Sequence, residues 1–228
     1  MKNNQTAILI FANSAEFEAI QKPFQSSQLL FDALNLQTLK VVKKTGIPYF
    51  LSSEKNQTGN SFGERFTNAI QSVYDKGFEN VITIGNDTPH LQSQHILKAV
   101  ENLKQNDIVL GPSKDGGFYL MGLKKSHFNV ETFLKLPWQT SALSRSISKA
   151  VQSQRIKLSY LEFLSDIDTL LDAKHNIDSF KKLSRAIKDN LISYISVEKE
   201  IISSYFISIE NFSQTLLFNK GSPVLLHV

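Results

Sequence analysis

The sequence predicts an α/β protein with a mixed, mainly parallel sheet, and three observations predict it. Short apolar runs rich in β-branched residues recur at Thr6–Ala12, Val81–Ile84 and Asp107–Leu110, each suited to a strand buried on both faces. Segments with apolar residues at helical spacing separate them, most plainly Phe62–Gly77 and Gln92–Gln105. Two of the runs end in turns that carry a carboxylate, Asn86-Asp87-Thr88-Pro89 and Lys114-Asp115-Gly116-Gly117. Open α/β sheets bind their ligands outside the carboxyl ends of the strands, so these turns are where function is expected.

The first strand, Thr6–Ala12, is broken by Asn13 and Ser14. Residues 23–44 carry apolar side chains at roughly helical spacing, with Asn35 as a point of interruption and Gly46 as a stop. Ile47–Leu51 reads as a second strand, placed at an edge or a strand start by Pro48. A polar loop then leads to Phe62–Phe66, F-G-E-R-F, where Gly63 allows close approach and Arg65 supplies a fixed positive fork. Both residue types are also ordinary at helix starts. Pro89 disfavours helical geometry at Thr88, so Asp87 is held in a turn at a strand end, either as a ligand or as the shaper of an Asx turn. Phe118–Leu123 follows as a strand, and the Asp115-Gly116-Gly117 turn before it fits a ligand-lining loop or a plain hairpin. His127–Leu136 and Ser141–Gln154 read as helices, joined through the single tryptophan, Trp138, which suits a core anchor better than an exposed stacking platform. Ile156–Leu161 is a further strand candidate. It leads to Asp166 and Asp168, whose alternation puts both carboxylates on one side of an extended chain, where they could share a hard divalent cation.

Composition narrows the classes. The 228 residues suffice for one large domain with an appendage, and 41% hydrophobic content supports a proper core. The formal charge of +4 is spread along the chain with no basic stripe, which argues against nucleic acid as the partner. With no cysteine, disulfides, thiolate metal sites and cysteine nucleophiles are excluded. No run reaches membrane-spanning length, and the first apolar run is too short for a secretory core, so a cytoplasmic protein is expected. A glycine fingerprint after the first strand is missing, which excludes a dinucleotide oxidoreductase. Residues 183–228 lack the motifs of 1–182 and read as a C-terminal extension of strand character, packing on the domain or on a second copy of the chain.

Three pieces taken together, G-N-D-T-P-H-L (Gly85–Leu91), G-P-S-K-D-G-G-F-Y-L-M-G-L (Gly111–Leu123) and D-I-D-T-L-L-D (Asp166–Asp172), resemble the bacterial DUF2064 family in order and spacing. Trp138 and Thr140 match its W-x-T element. The Q-T-G-N-S-F-G-E-R stretch from Gln57 to Arg65 matches its Q-x-G-x-x-G-x-R pattern with one extra residue between the glycines. That family looks like the GT-A, or nucleotide-diphospho-sugar transferase, superfamily, a Rossmann-like three-layer sandwich whose relatives include molybdenum-cofactor and 2-phospholactate guanylyltransferases. The resemblance implies a metal-dependent transferase of glycosyl or nucleotidyl groups from a nucleotide or nucleotide-sugar donor to a small-molecule acceptor. It implies Asp87 and Asp115 as catalytic carboxylates, and Asp87, Asp166 and Asp168 as ligands to Mg²⁺ or Mn²⁺. Gln57, Gly59, Gly63, Arg65 and Lys22 would line the donor site, and Gly116, Gly117, Trp138 and Thr140 the acceptor site. The departure is in the first loop. Where the family has K-x-P-x-x-G-x-x-K-T-R-L, this chain has A-N-S-A-E-F-E-A-I-Q-K-P-F, with Glu16 and Glu18 present and Lys22 as its one basic residue. The alternative is a non-catalytic nucleotide- or sugar-binding relative with a degenerate phosphate loop.

Overall fold

The computed structural model describes residues 5–21, 27–153 and 156–166; Lys22, Asp168 and the 183–228 extension lie outside them. Six strands form one sheet in these residues: β1 (Thr6–Phe11), β2 (Tyr49–Ser52), β3 (Asn80–Ile84), β4 (Ile108–Pro112), β5 (Phe118–Lys124) and β6 (Leu158–Tyr160). The order is β2-β1-β3-β5-β4-β6. β1 pairs in parallel with β2 and β3, and β4 with β6, whereas β5 runs antiparallel between β3 and β4. The expected mixed, mainly parallel sheet is therefore present. The Asp115-Gly116-Gly117 turn closes a β4–β5 hairpin, and this is what reverses β5.

The helices are α1 (Ala15–Gln21), α2 (Ser27–Lys43), α3 (Phe62–Tyr74), α4 (Ser93–Asn102), α5 (Val130–Leu134) and α6 (Leu143–Ser153). Alternation along β1 sends Ala7 and Leu9 to one face and Ile8 and Ile10 to the other, and all four are buried. Ala7, Leu9, Val81 and Met121 pack under Phe66, Ile70, Val73, Phe133, Ile147 and Val151 of α3, α5 and α6. Ile8, Ile10, Ile82 and Leu120 pack under Val42, Ile96 and Ala99 of α2 and α4. The result is the three-layer sandwich expected of continuous apolar strands covered on both sides. β2 is an edge strand, as Pro48 predicted.

One local feature differs from the sequence reading. Asn35 does not interrupt α2; its side chain faces the strand ends and bonds there, so the polar position is spent on tertiary structure. α3 starts with a full capping box: the Ser61 hydroxyl accepts from Glu64 N–H, and the Glu64 carboxylate accepts from the backbone of Ser61.

Candidate active site

Strand direction decides where the site lies. β1 and β3 end side by side, with Ile10 opposite Ile84, and antiparallel β5 begins at the same edge, with Leu120 opposite Ile84. The turns after β1 and β3 and the first residues of β5 therefore meet. They enclose a cleft of about 190 Å³ lined by Asn13, Glu18, Asn86, Asp87, Phe118 and Tyr119, among others. β4 and β6 run toward this edge too, and bonds from Leu161 N–H to Leu110 O and from Leu164 N–H to Pro112 O carry the chain to Asp166.

The β3 turn is tied on both sides. Asn86, 6% exposed, donates to Asn35 Oδ1 at 2.8 Å, and Asn35 Nδ2 donates to the Asn13 carbonyl at 3.3 Å. One α2 side chain thus joins the β1 turn to the β3 turn. Thr88, 4% exposed, donates its hydroxyl to Asp166 Oδ1 at 2.5 Å, which brings the third motif of the sequence against the first. Asp87, half-buried, lies between these two anchors in the cleft wall. Burial pushes the Tyr119 hydroxyl well above its ordinary range, and the Glu162 and Asp166 carboxylates push it further, so it stays protonated and donates to the Glu162 carbonyl at 3.0 Å.

The β1 turn is occupied by carboxylates. Asn13 Nδ2 donates to Glu18 at 2.9 Å, and Ser14 donates its N–H and its hydroxyl to the two oxygens of Glu54, both at 2.8 Å. Burial raises the affinity of Glu54 for a proton, but the two bonds from Ser14, with the backbone of Glu54 and the charge of Lys55, outweigh it and hold the carboxyl below its ordinary range.

Aromatic rings form the remaining wall. Phe11 meets Phe66 edge-on at 5.1 Å between centroids, Phe62 stacks on Phe66 at 5.8 Å, and Trp138 backs Phe66 at 5.0 Å. Trp138 is a core anchor: its indole N–H donates to the Phe133 carbonyl at 2.7 Å, and it packs with the α3 cluster. Gly63 is the counterpart of that indole, because a Cβ there would overlap the ring. Sequence reasoning missed Phe11, Phe62, Phe66 and Phe118; the signal was a pair of phenylalanines on one face of α3, with two more at a strand end and a strand start.

The other expected residues are dispersed. Gln57 lines a separate cavity between β2 and α3 and donates to the Ser52 carbonyl at 3.1 Å. Arg65 is half-buried on α3, and Gly59, at φ 131°, sits in the loop before it. Asp115 is exposed and accepts from the Ser113 hydroxyl and from Gly117 N–H at 3.0 Å, so in this state it shapes the hairpin. Gly116, at φ 94°, packs on the Ser141 backbone, and Ser144 holds the Gly117 carbonyl at 2.5 Å. Thr140 is exposed and bonds Pro137 O at 2.7 Å.

No group of three or more acidic or histidine side chains poised for a metal occurs among the described residues. Of the implied ligand carboxylates, those brought to this edge are Asp87, in the cleft wall, and Asp166, which accepts from Thr88. No described helix is long and apolar enough to cross a membrane.

The sandwich and its carboxyl-edge cleft define an α/β protein of GT-A-like fold. Residues 41–140 match the model of the family described as "Uncharacterized protein conserved in bacteria (DUF2064)", in agreement with the motifs. A crystal structure of a "putative nucleotide-diphospho-sugar transferase" from Desulfovibrio desulfuricans G20 superposes with a TM-score of 0.74 at 21% identity, covering 86% of this chain and 97% of that one. Looser matches include 4-diphosphocytidyl-2C-methyl-D-erythritol synthase from Anaerococcus prevotii DSM 20548 (TM-score 0.49, 10% identity, 85% and 98% covered). Another is Rv0371c with manganese from Mycobacterium tuberculosis H37Rv (TM-score 0.45, 13% identity, 77% and 99% covered). No curated protein matches the chain.

Proposed function

We propose that the protein is a divalent-metal-dependent transferase that uses a nucleotide-activated donor bound in the Asp87 cleft, and that it acts in the cytoplasm. The observation that carries this is the placement of Asp87 at the end of a rigid, doubly buried strand, in a cleft with an aromatic wall and with the Asp166 loop bonded alongside through Thr88. Asp87 and Asp166, with Asp168 after them, would hold Mg²⁺ or Mn²⁺, which would offset charge on the donor's phosphates when bound. The phenylalanines would take the nucleoside or sugar face. Of the residues the resemblance implied for the donor, Gly59 and Arg65 stay candidates on the loop and helix beside the cleft, whereas Gln57 lines a separate cavity and Gly63 and Trp138 pack against each other in the core.

In the transfer, an acceptor oxygen bonds to the donor's anomeric carbon or α-phosphorus. The bond from that atom to the leaving phosphate oxygen breaks, and its electron pair departs with the nucleoside diphosphate or pyrophosphate. The acceptor's proton passes to a carboxylate at the cleft edge, for which Asp115 on the neighbouring hairpin is our candidate. The filled β1 turn favours a second reading, a binding relative without turnover. A thermal-shift panel of nucleoside triphosphates and nucleotide sugars, each with and without Mg²⁺ or Mn²⁺, separates the readings from a chain that binds neither. A ligand specific to the folded state adds about 2.7 kcal/mol at a hundredfold excess over its Kd. A metal-dependent shift followed by product formation supports transfer, a shift without product supports the binding relative, and no shift with any donor contradicts both.

A further inference from the structure

The segment from Leu161 to Asp166 runs from the end of β6 to the cleft edge, and two side chains of one stretch of chain grip it. Thr88, in the β3 turn, donates to Asp166 Oδ1. His95, in the first turn of α4, donates from Nε2 to Glu162 Oε1 at 2.8 Å. The His95 side chain is 12% exposed and that of Glu162 65%, so the imidazole is the fixed partner and the carboxylate comes to it. Gln92 N–H donates to His95 Nδ1 at 3.1 Å. In the neutral ring that bond leaves the proton on Nε2, the atom that faces Glu162. Capping α4 alone needs only a short acceptor such as Ser or Asp. Reaching Glu162 as well takes the second nitrogen of an imidazole. The ring also stands edge-on to Tyr119, 6.2 Å between centroids, and Tyr119 donates its hydroxyl to the Glu162 carbonyl. Gly111 makes room for the Tyr119 ring, since a Cβ there would overlap it. Glu162 is thus held by side chain and main chain at once, and on either side Leu161 N–H bonds Leu110 O and Leu164 N–H bonds Pro112 O.

We propose that His95 is a positioning residue for Asp166: through Glu162 it fixes the segment that brings Asp166 to the Asp87 turn. The inference rests on the reading of Asp87 and Asp166 as ligands to a divalent ion, and it adds what keeps the two carboxylates in place. Both grips, Thr88 and His95, belong to the stretch of chain that follows Asp87 directly. Asp166 is therefore located against Asp87 by one turn and the helix that continues it, not by the local preferences of its own loop. Residues that orient a ligand carboxylate in this way raise metal affinity without touching the metal. Without the His95 contact Asp166 keeps its Thr88 bond but loses the hold on Glu162, and an arriving ion has to order the segment as it binds.

The test is calorimetric titration of Mn²⁺ into the full chain and into its Asp166→Asn, His95→Ala, His95→Gln, Glu162→Ala and Val100→Ala variants, with amide exchange at Leu161 and Leu164 measured on the same proteins. His95→Ala should weaken Mn²⁺ binding about fivefold and speed exchange at both amides. Glu162→Ala removes the other half of the contact and should match it; its side chain is exposed, so it keeps the test open if His95→Ala does not fold. His95→Gln retains a side-chain N–H for Glu162 and should recover most of the affinity. Val100 packs on the sheet from the same helix, so Val100→Ala controls for a loosened α4 and should stay within about twofold of wild type. Wild-type Mn²⁺ affinity in His95→Ala or Glu162→Ala overturns the proposal, and so does an equal loss in Val100→Ala. If no form binds Mn²⁺, or Asp166→Asn binds it as wild type does, the metal reading fails instead, and exchange decides the grip: acceleration in His95→Ala but not in Val100→Ala upholds it, and unchanged exchange refutes it.

Discussion

The turns after β1 and β3 leave the same edge of the sheet from strands paired in register, yet their chemistry is opposite. The β3 turn keeps a carboxylate in the cleft wall and spends its neighbours, Asn86 and Thr88, on holding it in place. The β1 turn has no glycine and no basic residue in its described part, and its donors close on Glu18 and Glu54. The strands beneath are equally buried, so the sheet does not distinguish the two; the difference lies wholly in the turns. Fold and site are therefore separable here: apolar alternation maintains the sandwich, and turn chemistry shapes the edge of the cleft.

Four perturbations sharpen that contrast, from the largest expected effect to the smallest. Phe66, 4% exposed, packs against Phe11, Phe62 and Trp138 in the core, so Phe66→Ala should cost about 3–5 kcal/mol in denaturant unfolding. A loss below about 1 kcal/mol would mean that the aromatic wall is not part of the core. Thr88→Val removes a bond to a carboxylate while conserving shape, and should cost about 1.5–3 kcal/mol by urea melts; an unchanged midpoint would detach the Asp166 loop from the β3 turn. Asn35→Ala breaks a side-chain bridge between the turns and leaves the buried Asn86 amide without that partner, for a loss of about 1–2 kcal/mol. Its effect should be non-additive with Asn86→Ala in a double-mutant cycle, and strict additivity would contradict the bridge.

The smallest effect is a pH dependence. Folding holds the Glu54 carboxyl below its ordinary value of 4.5, so its stabilisation is fully present above that pH and drains away as pH falls through the lower folded value. The stability gap between wild type and Glu54→Gln should therefore be largest near neutrality and close on acidification. A gap that widens toward low pH would mean that Ser14 does not favour the ionised form.

What the sequence revealed and what it hid follow the same division. β-branched runs and helical spacing are local signals, and they located β1, β3, β4, β5, α3 and α4 within a few residues. The turn that carries Asp87 was legible because Gly85 and Pro89 punctuate the end of β3. Asp115 showed two faces from the start, and in the structure the hairpin-shaping one is filled. Glu54 and Asn35 were not legible: each acts across distance, 40 residues from Ser14 and 51 from Asn86, so no window of sequence contains both partners. The same holds for Gly63, whose missing Cβ is explained by an indole far along the chain.

The most direct measurement is calorimetric titration of nucleotide sugars with Mn²⁺ into wild type and Asp87→Asn, a variant that keeps side-chain size and removes the charge. We predict Mn²⁺-dependent binding to wild type that falls at least about tenfold in Asp87→Asn, with an unchanged melting curve in the absence of ligand. Equal Mn²⁺-dependent affinity in the two proteins would contradict the placement of the donor's metal at the end of β3.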